Sequence, residues 1–313
     1  MSNYDLQSLD KMANELGFIR DTLEKVLRLS DILDYFNTAP ILKNSLALKG
    51  GTAINLTIFD LPRLSIDIDM DYLENNSRDL MLKGREEISE SIDKFMLSQR
   101  YYRRLKSRKA HSLDSWVYEY QNSVGNKDNI KIEINYSLRS HILPVEERQV
   151  ISKHFNTQYL VKTLSPIEIF ASKIIALLTR AAARDLYYVN NMIKYSVFNK
   201  SEELLLKKCV IFYMAVSAKV IDESFDTKAI DLLTNQKIKS SLLPVIRKKE
   251  KFILGETKTT VMEYVKNLMI LSNNETDFLH RFKKKEYIPE LLFDNQEIVT
   301  RIKNHPMILW KIN

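Results

Sequence analysis

The sequence predicts an α+β protein made of two lobes: a first half in which helices mix with a small sheet, and a second half that is nearly all helix. Three observations carry this. Segments of strict polar–apolar alternation, the period of a strand, occur only in the first half, whereas apolar residues at helical spacing recur to the end of the chain. The 313 residues include only six glycines and seven prolines, which favours long helices over many tight turns. A compound helix-start signal, with Ser165 as N-cap, Pro166 at the first position and Glu168 closing a capping box, opens the helical stretch. The boundary is therefore expected near residue 163, giving lobes 1–163 and 164–313.

Taken in order, residues 4–38 read as helix, with Leu6, Leu9, Met12, Leu16, Ile19, Leu23, Val26 and Leu27 spaced by three and four until Thr38-Ala39-Pro40 breaks the pattern. The stretch LALKGGTAINL (46–56) reads as a short strand, a tight turn and a helix start. SIDIDMDYL (65–73) alternates as a strand, and residues 79–104 return to helix. SWVYEYQN (115–122) and NIKIEINYS (129–137) are two further strands, with a hairpin turn expected at residues 125–128. From Ser165, SPIEIFASKIIALLTRAAARDLYYVNNMI reads as continuous helix, and the segments after it keep the helical pattern. No internal repeat or low-complexity segment interrupts the chain.

Composition narrows the function classes. Hydrophobic residues make up 45% of the chain, enough for a proper core, and 28% are charged. No run of about eighteen uncharged apolar residues exists, so no transmembrane helix is expected. MSNYDLQSLDKMANEL lacks the apolar centre of a signal peptide, and a cytoplasmic location is expected. Cys209 is the sole cysteine, which excludes an internal disulfide and a zinc motif, and the five histidines share no helical spacing. A net charge of +7 is compatible with a nucleic-acid partner.

Two constellations suggest chemistry. In the acidic strand, alternation places Ile66, Ile68 and Met70 on one face and Asp67, Asp69 and Asp71 on the other. Crowded carboxylates repel one another, and Mg²⁺, an oxygen-seeking cation, relieves that repulsion while bridging to substrate phosphates. A solvated acidic strand edge has the same pattern. Gly50, Gly51 and Thr52, about fifteen residues upstream, supply a turn without Cβ atoms, a helix N-terminus and a hydroxyl, all suited to a phosphate. An ordinary strand-to-helix turn is the alternative, but the pairing of the two motifs favours a triphosphate beside a metal. Glu133 shares a face with Lys131 and Asn135 and is either a third metal ligand or part of an exposed edge.

The second constellation lies on the capped helix. Lys173, Arg180 and Arg184 fall within about 40° of helical arc, as one cationic stripe. Asp185 falls on the adjoining apolar side, so it is expected to be partly buried, with Arg180 or Arg184 as its partner. A solvated basic face with one internal salt bridge is the plainer reading. Basic clusters at Arg247–Lys251 and Arg281–Glu286, with Tyr101, Tyr102, Arg103 and Arg104, could line a nucleic-acid surface or be solvated helix ends.

LKGGTAINL…LPRLSIDIDMDYL, followed by KIEINYS and SPIEIFASKIIALLTRAAARDLYYV, resembles the AbiEii/AbiGii toxin family over most of residues 45–190, and the closing NHPMILWK resembles the family's C-terminal end. These are nucleotidyltransferase-like toxins of the DNA polymerase beta superfamily, from bacterial type IV toxin–antitoxin and abortive-infection (antiviral defence) systems. The resemblance places the glycine motif on Gly50, Gly51 and Thr52, and an Arg-x-Ser-x-Asp-x-Asp motif on Arg63, Ser65, Asp67 and Asp69. It places the helical lysine on Lys173 and an Arg-Asp pair on Arg184 and Asp185. Where the family often has a second aspartate after that pair, this chain has Tyr188.

The resemblance implies a nucleotidyltransferase fold with the active site between the lobes. It implies Mg²⁺ (or Mn²⁺) on Asp67 and Asp69 with Glu133 as a possible third ligand, and an NTP substrate bound by Gly50, Gly51, Thr52, Ser65, Arg180 and Arg184. Lys173, with Arg180, would neutralise the departing pyrophosphate. Asp185 would activate the acceptor hydroxyl or, the favoured role, fix Arg184. The implied acceptor is cellular, with the tRNA 3′ end foremost, and the implied partner is a winged-helix antitoxin encoded alongside. A nucleotidyltransferase acting on a protein or small-molecule hydroxyl, and a non-catalytic nucleotide- or RNA-binding protein, are the alternatives.

Overall fold

The computed structural model describes residues 4–104, 108–109, 112–155, 160–217 and 220–312. The chain divides into two compact units: residues 1–139, 145–164 and 245–249 form the first, and residues 140–144, 165–244 and 250–313 the second. The first unit begins with helices α1 (Leu6–Leu16), α2 (Arg20–Thr38) and α3 (Pro40–Ser45), then strand β1 (Leu46–Lys49), α4 (Gly50–Thr57), β2 (Asp67–Tyr72) and α5 (Arg78–Ser98). Strands β3 (Tyr102–Arg103), β4 (Arg108–Lys109), β5 (Leu113–Gln121), β6 (Lys127–Asn135), β7 (Glu146–Gln149) and β8 (Leu160–Thr163) complete it. The second unit contains α6 (Pro166–Arg180), α7 (Ala183–Lys194), α8 (Lys200–Ser217), α9 (Lys228–Asp231), α10 (Asn235–Ser241), α11 (Leu254–Leu268), α12 (Asn273–Lys283), α13 (Gln296–Ile302) and α14 (Pro306–Ile312), with a 3₁₀ turn at Pro289–Leu291.

The eight strands form one mixed sheet in the order β3-β5-β6-β2-β1-β8-β7, with β4 also on β5. β2 runs parallel to β6 and antiparallel to β1, so the acidic strand lies in the sheet's interior. One face is the core: Ile68, Met70, Trp116, Tyr118, Ile130, Ile132 and Ile134 are all buried. Helix α5 covers this face, burying Ile88, Ile92 and Met96. Arg85 of α5 reaches into the core and grips buried Asp114 of β5 through two hydrogen bonds of 2.9 and 2.7 Å. A buried carboxylate needs such a partner, and the bidentate geometry supplies it.

Several expected elements differ in detail. The first helix is two, separated by Gly17 in the left-handed region (φ 74°), which stops α1 and lets Phe18 turn into the core. The helix over 79–104 ends at Ser98. The hairpin turn is at 122–126 rather than 125–128: the Asn122 side chain accepts from the amides of Val124 and Asn126, and Lys127 and Asp128 already belong to β6. The capping box at Ser165 does not form. Glu168 is instead fully buried, accepting from the amides of Ile142 and Leu143 at 2.9 and 3.0 Å and from the Tyr213 hydroxyl. Residues 140–144 thus join the second unit partly through a carboxylate that the sequence pattern assigns to a cap, with the Ser140 hydroxyl donating to the Arg301 carbonyl as a further tie.

Candidate active site

The site builds from the strand-turn-helix at the centre of the first unit. β1 ends at Lys49, and Gly50 adopts φ 70°, which swings the chain directly into α4. A Cβ on Gly50 would stand 2.7 Å from Oδ2 of Asp69, so this glycine is required both by its backbone angle and by the carboxylate packed against it. The two sequence motifs are therefore in contact: the missing side chain leaves space around one oxygen of Asp69. Lys49, at the N-cap of α4, provides no side-chain cap. The Thr52 hydroxyl is buried and donates to the Asp67 carbonyl at 2.5 Å, which ties the glycine helix to the acidic strand instead of offering a hydroxyl to a phosphate.

Across the sheet, Asp69 lies opposite Lys49 on β1 and Glu133 on β6, and Asp67 lies opposite Lys131. Because paired residues share a face, Asp67, Asp69, Lys131 and Glu133 stand together on the face away from α5. Asp67, Asp69 and Glu133 are half-buried. Lys131 pairs with Glu133 at 2.8 Å, so the third candidate ligand already has a cation as its partner. Among the described residues no three acidic, imidazole or thiol groups already converge as a cage.

Asp71 departs from the open carboxylate face that alternation predicts. It is buried and paired with Lys49. Burial pushes its carboxyl above the ordinary value, and the Lys49 ammonium offsets part of that rise. Ser65 is nearly buried just before the strand, and Arg63 is buried with its guanidinium on the Leu64 carbonyl at 2.6 Å.

In the second unit the expected cationic stripe is broken. Helix α6 stops at Arg180 because Ala181 takes a left-handed conformation (φ 45°), and extended Ala182 starts α7. Three consecutive alanines, the best helix formers, conceal this break from any reading of propensity. The consequence is a side-chain cluster that a single helix could not make. Asp185, buried on α7, receives Lys173 of α6 at 2.9 Å and Arg180 at 3.4 Å. Arg184 is not its partner; its Nε donates to the Ser241 carbonyl at 2.9 Å. Tyr188 is buried and presents its ring 5.5 Å from the Lys173 ammonium, so the lysine is held by one carboxylate and one aromatic face. Arg180 remains largely in solvent.

The expected aromatic-basic surface is partly absorbed locally. Tyr101 is buried against Tyr120, Arg103 pairs with Asp93, Arg104 with Glu119, and Arg281 with Asp277 and Glu286.

With this geometry established, comparison places the chain. A family model described as "Nucleotidyl transferase AbiEii toxin, Type IV TA system" matches residues 31–266. The chain belongs to this AbiEii nucleotidyl transferase toxin family. Membership makes it a nucleotidyltransferase of the type IV toxin–antitoxin class, which implies an NTP substrate and an antitoxin partner; nucleotidyltransferases of this kind generally use divalent metals. No curated protein sequence matches it. Among solved structures, MenT4, a nucleotidyltransferase toxin from Mycobacterium tuberculosis H37Rv, superposes with a TM-score of 0.66 at 15% identity, covering 96% of this chain and 98% of the other. That likeness is one of fold, and it bears out the nucleotidyltransferase-type α+β architecture. The Escherichia coli MS115-1 CdnC:HORMA-deltaN complex also aligns, over 97% of this chain and 98% of that one at 13% identity, but its TM-score of 0.24 carries no structural argument. Among the described residues no helix is long and apolar enough to cross a membrane.

Proposed function

We propose that this AbiEii-family chain transfers a nucleoside monophosphate from an NTP to a hydroxyl of a cellular acceptor, the tRNA 3′ end, and thereby arrests growth until a winged-helix antitoxin encoded alongside counteracts it. The observation that carries the catalytic part is the contact of Gly50 with Asp69: a backbone turn built for phosphate packs without a side chain against a half-buried carboxylate. The space a Cβ would fill, and two carboxylates on one sheet face, suit Mg²⁺ or Mn²⁺ held by Asp67 and Asp69, with Glu133 adjacent once Lys131 releases it. Such a cation, when bound, supplies Lewis-acid stabilisation of the phosphoryl oxygens and of the attacking hydroxyl.

In the reaction the acceptor hydroxyl oxygen bonds to the α-phosphorus and gives up its proton to solvent water, the α–β bridging P–O bond breaks, and pyrophosphate leaves with that bond's electrons. Gly50, Gly51 and Ser65 position the triphosphate, with Thr52 holding Asp67 in place through its carbonyl. Lys173 balances the charge gathered on pyrophosphate. Asp185, with Lys173 and Arg180 both drawn to it, is a holder of that lysine and not the base for the acceptor hydroxyl. Arg184 anchors α7 to Ser241 through its Nε, and its terminal guanidinium nitrogens are the part proposed to meet the nucleotide. The +7 net charge supports a polyanionic acceptor.

The test is label transfer: purified protein, Mg²⁺ and each α-³²P-NTP in turn, with and without total tRNA, beside Asp67→Ala. Labelled tRNA that disappears in the variant is the expected result. Unlabelled tRNA with all four nucleotides removes the tRNA assignment, and label that appears in lysate but resists ribonuclease assigns a protein or small-molecule hydroxyl.

A further inference from the structure

The loop joining α4 to β2 carries Arg63 and Ser65, and it turns at an unusual residue. Leu61 is fully buried yet lies at φ 46°, a conformation that leucine rarely adopts. Its amide is directed to the carbonyls of Asn55 and Phe59. Its own carbonyl, and that of Asp60, receive Nη2 of Arg247 at 3.3 and 3.0 Å. The same guanidinium lies 5.7 Å from the ring of buried Phe18.

The residues around Arg247 extend this grip. Val245 accepts from the Leu64 amide at 2.7 Å, Ile246 forms an antiparallel bridge with Arg63, and Lys248 donates to the Gly17 carbonyl at 2.8 Å. Val245 and Ile246 are both buried. These five residues, 245–249, belong to the first unit although the chain on either side of them belongs to the second. The Arg247–Lys251 cluster, which reads in the sequence as a basic surface run, therefore begins with a guanidinium turned inward on two carbonyls.

We infer that Arg247 is a positioning residue for the triphosphate subsite: from the far end of the sequence it fixes the left-handed corner at Leu61, and so keeps Ser65 in register with Gly50. The inference rests on the reading of this site as an NTP site. β2 itself is held by ladders to β1 and β6 and by the Thr52 hydroxyl, so Asp67 and Asp69 keep their places without Arg247. The five residues between Leu61 and the strand follow the corner that Arg247 holds, and the backbone of Val245 and Ile246 binds Leu64 and Arg63 beside it. Loss of the Arg247 anchor should weaken NTP binding while leaving the transfer step nearly intact.

The experiment compares wild type, Arg247→Ala and Arg247→Lys by kcat, KM for NTP, Mg²⁺-dependent binding of a fluorescent NTP analogue, and melting temperature. Arg247→Ala should raise KM about tenfold, the order expected for losing a charge-assisted hydrogen-bonded anchor, with kcat within about twofold. Analogue affinity should fall in parallel, and Arg247→Lys, which keeps the charge but not the planar fork, should recover part of the loss. A merely structural role would reduce the active fraction, lowering kcat with KM unchanged. A folded Arg247→Ala protein with wild-type KM and analogue affinity overturns the proposal. If that variant does not fold, Arg247→Lys decides: raised KM at the wild-type melting temperature supports it, and wild-type KM overturns it. A wild type that binds the analogue without transferring refutes the transferase reading and leaves the binding comparison to judge Arg247. A wild type that binds no NTP analogue overturns both.

Discussion

Replacing Gly50 with alanine separates backbone strain from displacement of the catalytic carboxylate. The residue sits at φ 70°, where an L side chain costs about 1–2 kcal/mol. For a unit of this size each kcal/mol lowers the melting temperature by roughly 2–4 °C, so a fall of about 2–8 °C is expected from strain alone. The added Cβ would also stand 2.7 Å from Asp69 Oδ2, and ordinary contact begins near 3.4 Å, so the carboxylate must withdraw by about 0.7 Å. A misplacement of that order at a positioned catalytic group lowers the rate by up to about 10²-fold. Gly125 is the matched control: it has φ 84° in the β5–β6 turn, and a Cβ there meets nothing within 4 Å. Gly125→Ala should lose a similar amount of stability and keep its transfer activity. Calorimetry and label transfer on both variants read the two effects separately. Gly50→Ala with activity within about threefold of wild type, at the expected lowered melting temperature, would refute the claim that this turn sets the position of Asp69.

Other outcomes follow from the charge pairs. Lys49→Met removes the partner of buried Asp71, whose carboxyl, already raised above 3.8 by burial, then rises further. The folded state would hold its proton more tightly than the unfolded state, so the variant should be nearly as stable as wild type at acid pH. It should lose stability as pH rises above about 4, the ordinary carboxyl range, by up to about 3–5 kcal/mol. A melting-temperature gap that narrows with rising pH would contradict this sign. Glu133→Gln should raise the Mg²⁺ concentration for half-maximal transfer several-fold, whereas an unchanged Mg²⁺ requirement would place Glu133 on the exposed edge. Lys173→Met and Asp185→Asn should each destabilise the second unit. The double variant should be less unstable than their sum, with a coupling of about 0.5–3 kcal/mol in a double-mutant cycle; strict additivity would dissolve the pair. If Asp185 acts only by holding Lys173, Asp185→Glu should retain more transfer than Asp185→Asn.

Local chemistry made much of this protein readable from its residues. Alternation in 65–73 and 129–137 specifies which side chains face the core, because strand geometry allows only two faces, and the burial of Ile68, Met70, Ile132 and Ile134 follows directly. The glycine pair specifies a turn, since the sharp exit from β1 at φ 70° suits few other residues. What propensity could not express was competition for partners at long range. Glu168 satisfies every rule for a capping box, yet the amides of residues 142–143 and the Tyr213 hydroxyl claim it. Thr52 carries a hydroxyl suited to phosphate, and the Asp67 carbonyl takes it. Three alanines promise an unbroken helix, and tertiary packing bends the chain at Ala181 so that Lys173, not Arg184, meets Asp185. The approach of Gly50 to Asp69, and of Arg247 to a loop more than 180 positions earlier in the chain, are set by sheet register and chain return. Local pattern determines which faces and turns a segment can form; only packing decides which buried polar group meets which, because each must find a partner somewhere and the nearest in sequence is seldom the nearest in space.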